Sequence, residues 1–518
     1  MLLPARLDEL NADELRHLVQ ELAAEVSQQA ALIGQKDHEL NWRQAKIDKL
    51  THELALHKRW RFSARSEQLS AEQARLFEET VDTDLAAIET ELEQLSSPKP
   101  PDEKAKPRRQ PLPPHLPRHD IHHEPEQRTC PCGCQLKRIG EDIAEKLDYT
   151  PGVFTVERHI RGKWVCAQCE TLIQAPVPAQ VIDKGIPTVG LLAHVMVAKF
   201  ADHQPLYRLS GILDRSGMTI PPSTLGQWVG VTGVALQPLV DALKEALLER
   251  PVLHADETPV AMLNPGAGKT HRAYLWSYGT PVFETMKAVI YDFADSRAGK
   301  HAKAFLGDWR GTLVCDDYAA YNALFAHGIT EAGCMAHARR RFFNLHANHQ
   351  SQIAGEALEI FGQIYGVERD VADLTAHERL RIRQAKARPI ADALHTWLMT
   401  QRQRVPTGSA TAKAIDYSLN RWAALTHYLD DGRVPIDNNW IENRIRPVAL
   451  GRGNWLFAGS LRAGQRAAAI MSLIQSAKLN GHDPYAYLKD VLARLPTQPV
   501  SRISELLPHR WQPQSGAC

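Results

Sequence analysis

No run of about eighteen apolar residues occurs in this 518-residue chain, so the sequence contains no candidate membrane span. The first apolar residues are broken by Arg6, Asp8 and Glu9, which does not match a secretory leader and predicts a cytoplasmic protein. An excess of charge is missing too. Sixty-one Lys and Arg face sixty Asp and Glu, a formal charge of +1, so any polyanion partner must be met by local basic patches. Cysteine is scarce outside one stretch: five of the eight lie between 130 and 169. In a reducing compartment that clustering speaks for a metal rather than for disulfides. No repeat unit is present beyond a heptad pattern. The apolar fraction of 44% and charged fraction of 23% are those of an ordinary protein of several domains.

The heptads come first. Val19, Val26, Ile33, Leu40, Ile47 and Leu54 recur every seven residues. Leu15, Leu22 and Leu50 fill part of the companion register, whose middle holds Gln29, Lys36 and Arg43. Residues 10–58 therefore predict one long coiled-coil helix and a homodimer or higher assembly, β-branched positions favouring a parallel pair. Residues 58–65 then interleave Arg59, Arg61 and Arg65 with Trp60 and Phe62, a pattern suited to a phosphate backbone. A second, acidic helix is expected over 69–95. Eight prolines between 96 and 117 mark a stiff linker. Cys130, Cys132 and Cys134, then Cys166 and Cys169, flank a strand-like segment over 152–165. Four of these five thiolates would close a structural zinc site.

Helical patterns follow over 190–200 and 206–213, then a glycine-containing turn and a third helix from Pro222. With Ser223 as its expected N-cap and Ser223, Thr224 and Gln227 near its start, this reads as a helix-turn-helix whose polar residues contact DNA. The period then changes. Strands are expected over 252–262, 273–278 and 283–293, a helix over 300–306, and a fourth strand over 311–317. That β-β-β-α-β order is that of a ribonuclease-H-like core, in which the first and fourth strands are neighbours and Asp256 would face Asp316. A long helical stretch over 336–428 separates them from a short helix expected between Asp437 and Pro447, capped by Asp437 or the asparagines after it. Ile441 and Ile445 share one face of that helix, and Asn438, Glu442 and Arg446 another. Residues 451–455 read as a glycine-rich basic turn, and 464–479 as an apolar helix.

At four places the chain resembles a bacterial insertion-sequence DDE transposase of the insertion-sequence-sixty-six type. They are His254-Ala-Asp-Glu-Thr258, Cys315-Asp-Asp-Tyr-Ala-Ala-Tyr321, Gly333-Cys-Met-Ala-His-Ala-Arg-Arg-Arg341 and Asp437-Asn-Asn-Trp-Ile-Glu-Asn-Arg444. The resemblance implies that Asp256, Asp316 and Glu442 form an acidic triad, with Asp317 and Asp437 as rivals for its last two places. Their spacings of 60 and 126 residues imply a large insertion before Glu442. Cys334 and His337 match a Cys-x-x-His motif at the start of that insertion. As a zinc half-site they lack two partners, so a structural role near the active site is expected.

The organisation implied is a multidomain α+β protein. It comprises a coiled-coil region (1–95), a linker (96–120), a zinc-binding domain (121–180), a helical DNA-binding region (181–249), a core split between 250–335 and 431–480 by an all-helical insertion (336–430), and a C-terminal segment (481–518). Three converging carboxylates suit Mg²⁺ or Mn²⁺. Such a site would cut DNA at transposon ends and join the freed ends to target DNA, with Arg444, Arg446 and Arg452 holding phosphates. Accessory proteins of the same element are possible partners. A nuclease that does not join, or a DNA-binding protein without catalysis, would share most of these features.

Overall fold

The computed structural model describes residues 12–63, 71–95, 112–114, 116–125, 129, 134–150, 152–182, 185–264, 269–349 and 351–513. The chain divides into two compact units, Met1–Phe62 with Ile88–Lys106, and Ser63–Ala87 with Pro107–Cys518. In the first unit the heptads lie on one helix, α1 (Ala12–Ser63). On its seam Val26, Ile33 and Leu40 are 60–64% exposed, whereas Leu50 is buried. A lone helix cannot bury such a stripe by itself. The second helix, α2 (Ala71–Leu95), contributes residues 71–87 to the other unit. Most of the proline-rich linker lies outside the described residues.

The second unit begins with a sheet of β1 (Arg118–His123), β2 (Leu136–Thr150), β3 (Val153–Cys166) and β4 (Leu172–Gln174). The long hairpin β2–β3 pairs Leu136 with Cys166, which brings both ends of the cysteine-bearing segment to one place. Three helices follow, α3 (Val189–Phe200), α4 (Leu206–Arg215) and α5 (Pro222–Leu248). The expectation that Ser223 caps α5 is corrected. Pro221 is the N-cap and Pro222 the first helical residue, with no side-chain cap. Proline has no N–H to satisfy there, and its fixed φ already suits the first turn.

The central sheet contains β5 (Val252–Asn264), β6 (Lys269–Gly279), β7 (Val289–Ala294), β8 (Thr312–Cys315) and β9 (Thr330–Gly333), in the order β7-β6-β5-β8-β9. The first three are antiparallel neighbours, while β5, β8 and β9 run parallel. Between β7 and β8 lies α6 (Gly299–Leu306), and α7 (Asn322–Phe325) precedes β9. The third strand starts at Val289, not at 283. Residues 280–288 turn back on themselves, with Thr280 Oγ1 donating to Met286 O at 2.7 Å and Thr280 N to Ala288 O at 3.0 Å.

After β9 comes the helical insertion: α8 (Met335–His349), α9 (Gln352–Asp370), α10 (Ala376–Ile382), a π-turn over Arg383–Ala387, α11 (Arg388–Arg404), α12 (Ala410–Asn420) and α13 (Trp422–Thr426). Its core includes Phe342, Phe361, Leu394 and Leu398, and reaches Val252, Val314 and Ala332 of the sheet. Leu253, Ala255 and Leu313 point the other way, into the core shared with α3–α5. The insertion therefore covers one face of the sheet.

Helix α14 (Asn439–Trp455) corrects two expectations, since it runs through Pro447 and through the glycines read as a turn. Pro447 lies on the exposed side. A Cβ on Gly451 would stand 2.3 Å from the His203 ring, so this glycine serves close approach. Next, α15 (Leu461–Leu479) lies along the edge strand β7. Its Ser472 and Ser476 hydroxyls accept the N–H groups of Tyr291 (2.8 Å) and Val289 (3.0 Å). Finally α16 (Pro484–Arg494) packs on α3, and Trp511 closes the C-terminal segment by donating its Nε1–H to Asp490 at 2.6 Å. No helix among the described residues is long and apolar enough to cross a membrane.

Two buried arginines of the insertion hold the segment that leads into α14. Arg383, with no exposed side-chain surface, pairs with Glu368 at 2.6 Å and donates to Tyr428 O and Val434 O, each at 2.9 Å. Arg379 donates to Gly432 O at 2.7 Å. Removing one partner of a buried pair strands the other charge. Arg383→Met is therefore expected to lower unfolding stability by about 3–5 kcal/mol. The double change Arg383→Met with Glu368→Leu should recover more than half of the loss in a urea titration followed by circular dichroism.

Candidate active site

Backbone register brings the first two acids together. The parallel ladder between β5 and β8 pairs Val252 with Thr312, Leu253 with Leu313 and His254 with Val314. Two residues beyond the last pair stand Asp256 on one strand and Asp316 on the other. Side chains alternate along a strand. Asp256 therefore shares the face of Val252, and Asp316 that of Val314, the face covered by the insertion.

The third acid arrives on α14, whose start is bolted to the sheet by Asn438. That residue is completely buried. Its Nδ2 donates to Ala255 O at 2.9 Å, and its Oδ1 lies 2.7 Å from His254 Nδ1. Because Nδ2 is already donating to a carbonyl, Oδ1 must be the acceptor, which assigns the proton to His254 Nδ1. Burial pushes the His254 imidazole down to about 4, so it is neutral. The backbone N–H of Asn438 donates to Cys334 Sγ at 3.2 Å, and Met335 N donates to Ile436 O at 3.1 Å. Asn438 thus faces inward and does not share an outer face with Glu442 and Arg446. Ile441 and Ile445 are buried as expected, with Trp440 Nε1 donating to Thr280 O at 3.0 Å.

Glu442, one turn into α14, is half-buried. Its Oε1 lies 3.8 Å from His337 Nδ1 and its Oε2 3.5 Å from Arg340 Nη2, both on α8. The ligand atoms of Cys334, His337 and Glu442 all lie within 4.8 Å of one another. The Cys-x-x-His pair therefore abuts the start of α14.

The electrostatics separate the acids into two sets. Burial, then Glu257, Glu442 and Asp316, raise the Asp256 carboxyl to about 8. Asp316 Oδ1 and Glu442 Oε1 are buried without a hydrogen-bond partner. The rivals are engaged: Asp317 pairs with Arg421 at 2.8 Å, and Asp437 accepts the Tyr365 hydroxyl at 2.9 Å. Glu257, on the opposite face from Asp256, accepts from Arg297 Nε at 2.8 Å and from the Tyr321 hydroxyl at 2.9 Å. Arg297 in turn lies 3.6 Å over the Tyr318 ring. The tyrosines of the second motif thus serve Glu257 and its arginine. Sequence reasoning gave no role to His254 and Glu257 and put Asn438 on the outer face with Glu442; a histidine and a second acid within the β5 pattern were the signal for the first two.

Of the cations expected to meet DNA, Arg446 is exposed. Arg444 lies 4.2 Å over the Trp440 ring, and Arg452 donates to Pro259 O at 2.5 Å. Ser223 and Thr224 are half-buried and Gln227 is exposed. Arg65 and the side chains of Arg59 and Arg61 lie outside the described residues, as do Cys130 and Cys132. The second cysteine knuckle is a tight turn, with Glu170 N donating to Cys166 O at 2.9 Å. Cys134 Sγ reaches across to Gln168 Oε1 at 2.8 Å.

Comparison with known families places these features in context. A model described as the transposase IS66 family matches residues 184–466, and the IS66 C-terminal element matches 472–509. The zinc-finger binding domain of transposase IS66 matches 127–170, and a model described as transposase C of IS166 homeodomain matches 49–121. Among curated relatives, the uncharacterized protein y4jD of Sinorhizobium fredii is 38% identical over 417 residues, 77% of this chain and 81% of its own. The uncharacterized protein y4qI of the same organism is 36% identical over 488 residues, 91% and 90% of the two chains.

The raised Asp256 carboxyl makes stability depend on pH. Folded Asp256 keeps its proton to about pH 8, whereas an unfolded aspartate loses it near about 3.9. Between those values the folded state binds more protons, so stability falls as pH rises. In EDTA at pH 8, Asp256→Asn is expected to melt a few degrees above wild type, at about 1 °C per kcal/mol recovered in a unit of this size. The difference should shrink at pH 5, as differential scanning fluorimetry would read.

Proposed function

This chain belongs to the IS66 transposase family, and we propose that it is a DDE transposase that cuts DNA at transposon ends and joins those ends to target DNA. The supporting observation is the placement of Asp256 and Asp316 two residues beyond the last pair of adjacent parallel strands, with Glu442 close enough to raise Asp256. The sheet order and the helical insertion support a ribonuclease-H-like core.

The residues fit a divalent metal. Asp256 is held protonated near neutrality by burial and by Glu257, Glu442 and Asp316, and Asp316 and Glu442 each carry a buried oxygen without a hydrogen bond. A cation that drew the three carboxylates around itself would relieve these costs. Oxygen donors select Mg²⁺ or Mn²⁺, with Asp256, Asp316 and Glu442 as ligands. When bound, such ions supply positive charge at phosphate oxygens and lower the pKa of water. The chain's own part is positional. Asn438 sets the height of α14 on β5, which places Glu442 against the two strand ends. Arg421, Arg297 and Tyr365 hold the neighbouring acids away from the site. Arg446, exposed one turn beyond Glu442, is suited to a DNA phosphate.

DNA is the partner of this activity, with the ends and target brought to the active site by the zinc-binding and helical regions. Structural zinc is assigned to four of Cys130, Cys132, Cys134, Cys166 and Cys169. The exposed seam of α1 supports a homodimer or higher assembly, in which two ends are held together.

The test is incubation of labelled transposon-end DNA with Mg²⁺ or Mn²⁺, wild type beside Glu442→Gln. Wild type should give cleaved and joined products, and the variant should lose at least about a hundredfold in rate, the scale of removing a group that stabilises developing charge. DNA binding by gel shift should persist. Cleavage without joining would indicate a nuclease; binding without either, with the element's accessory proteins present, a DNA-binding protein.

A further inference from the structure

Beyond the acidic triad, Cys334, His337 and Glu442 meet at the junction of β9, α8 and α14. Among the described residues they are the one group of three histidine, cysteine or acidic side chains whose ligand atoms all lie within 4.8 Å. Cys334 and His337 stand three apart at the start of α8, a spacing that places both on one side of a helix. Glu442 enters from α14. His337 Nδ1 and Glu442 Oε1 are 3.8 Å apart, too long for a hydrogen bond. Both atoms are nevertheless buried and without a hydrogen-bond partner. Two desolvated polar atoms facing each other across that gap are costly unless something sits between them. Two ligands of one tetrahedral zinc ion lie about 3.4 Å apart, given metal–ligand lengths of about 2.0–2.1 Å, so the gap is close to the size of a metal edge.

The donor set differs in kind from the triad. A sulfur, an imidazole nitrogen and one carboxylate oxygen form a borderline-soft site, which selects zinc over magnesium. The Asn438 N–H on Cys334 Sγ, at 3.2 Å, is the kind of outer hydrogen bond that supports a metal-bound thiolate. We propose that Cys334, His337 and Glu442 bind a zinc ion, with the fourth position open to water, and that this site competes with the catalytic metals for Glu442. Binding displaces the Cys334 thiol proton to solvent, while the imidazole supplies a nitrogen lone pair and the carboxylate an oxygen. Zinc at this station draws the Glu442 carboxylate towards α8 and away from Asp256 and Asp316. The binding claim stands by itself; its effect on cutting rests on the transposase reading.

The experiment uses the full chain, already carrying its ribbon zinc, titrated with Co²⁺ and followed by absorption. Wild type should take up one more equivalent than His337→Ala, with a thiolate-to-cobalt band that Cys334→Ser lacks. His337 is on the half-exposed surface, so its variant should keep the fold even if the buried cysteine variant does not. Affinity of the extra site should fall at least about tenfold in His337→Ala. Equal stoichiometry and superposable spectra for wild type and His337→Ala would overturn the site. In the cleavage assay, low-micromolar Zn²⁺ added to Mg²⁺ should inhibit wild type, and His337→Ala should need at least about ten times more zinc for the same fractional inhibition. Identical zinc sensitivity would overturn the competition. If neither protein cuts DNA, the transposase reading fails, while the cobalt titration still decides the site.

Discussion

One buried amide holds the central sheet and α14 in register. Asn438 has a carbonyl oxygen, an NH₂ and a backbone N–H, and each meets a different residue: His254 and Ala255 on β5, and Cys334 just past the end of β9. These partners lie 104 to 184 positions away in the chain. In a dry interior an unsatisfied polar group costs about 1–3 kcal/mol, so the arrangement is stable only when every member is in place. A residue that is neither acid nor base thereby fixes where the third acid stands. The helical insertion supports the same end, since Arg379 and Arg383 grip the backbone that runs into α14.

The acids around the site are divided by their partners. Asp317, Asp437 and Glu257 each have an internal counterpart in Arg421, Tyr365 and Arg297. Asp256 accepts the Glu257 N–H and Glu442 stands 3.5 Å from Arg340, yet the first is driven towards protonation, and Asp316 and Glu442 each keep one buried oxygen without a hydrogen bond. The resemblance left Asp317 and Asp437 as rivals; their ion pair and hydrogen bond support the proposal of Asp316 and Glu442 instead. The raised carboxyl of Asp256 and the unpaired oxygens of the other two are the physical basis for proposing cations there.

Much of this architecture was legible beforehand because it follows simple periods. The alternation in β5 and β6, the apolar stretch of α15 and the four-apart isoleucines of α14 all lie where their patterns put them. What escaped depended on distant groups. The four-residue strand β9 has too few residues to show a period. Glycines at 451 and 453 read as a turn because the approach of His203 is invisible in the chain. Residues 283–288 look strand-like until Phe283 is seen against Arg379, whose guanidinium lies 3.4 Å over the ring. Asn438 looked like one member of a surface stripe, since nothing local reveals a partner 184 positions upstream.

The serines of α15 have a consequence for how copies of this protein can meet. An edge strand normally presents a row of open amides, and a second chain can add to it as another strand. Here the amides of Val289 and Tyr291 are already taken by hydroxyls from a helix of the same molecule. The helix acts as a terminator for the sheet, so growth from the β7 side would first require peeling α15 away. Self-association by strand addition is thereby blocked at that edge.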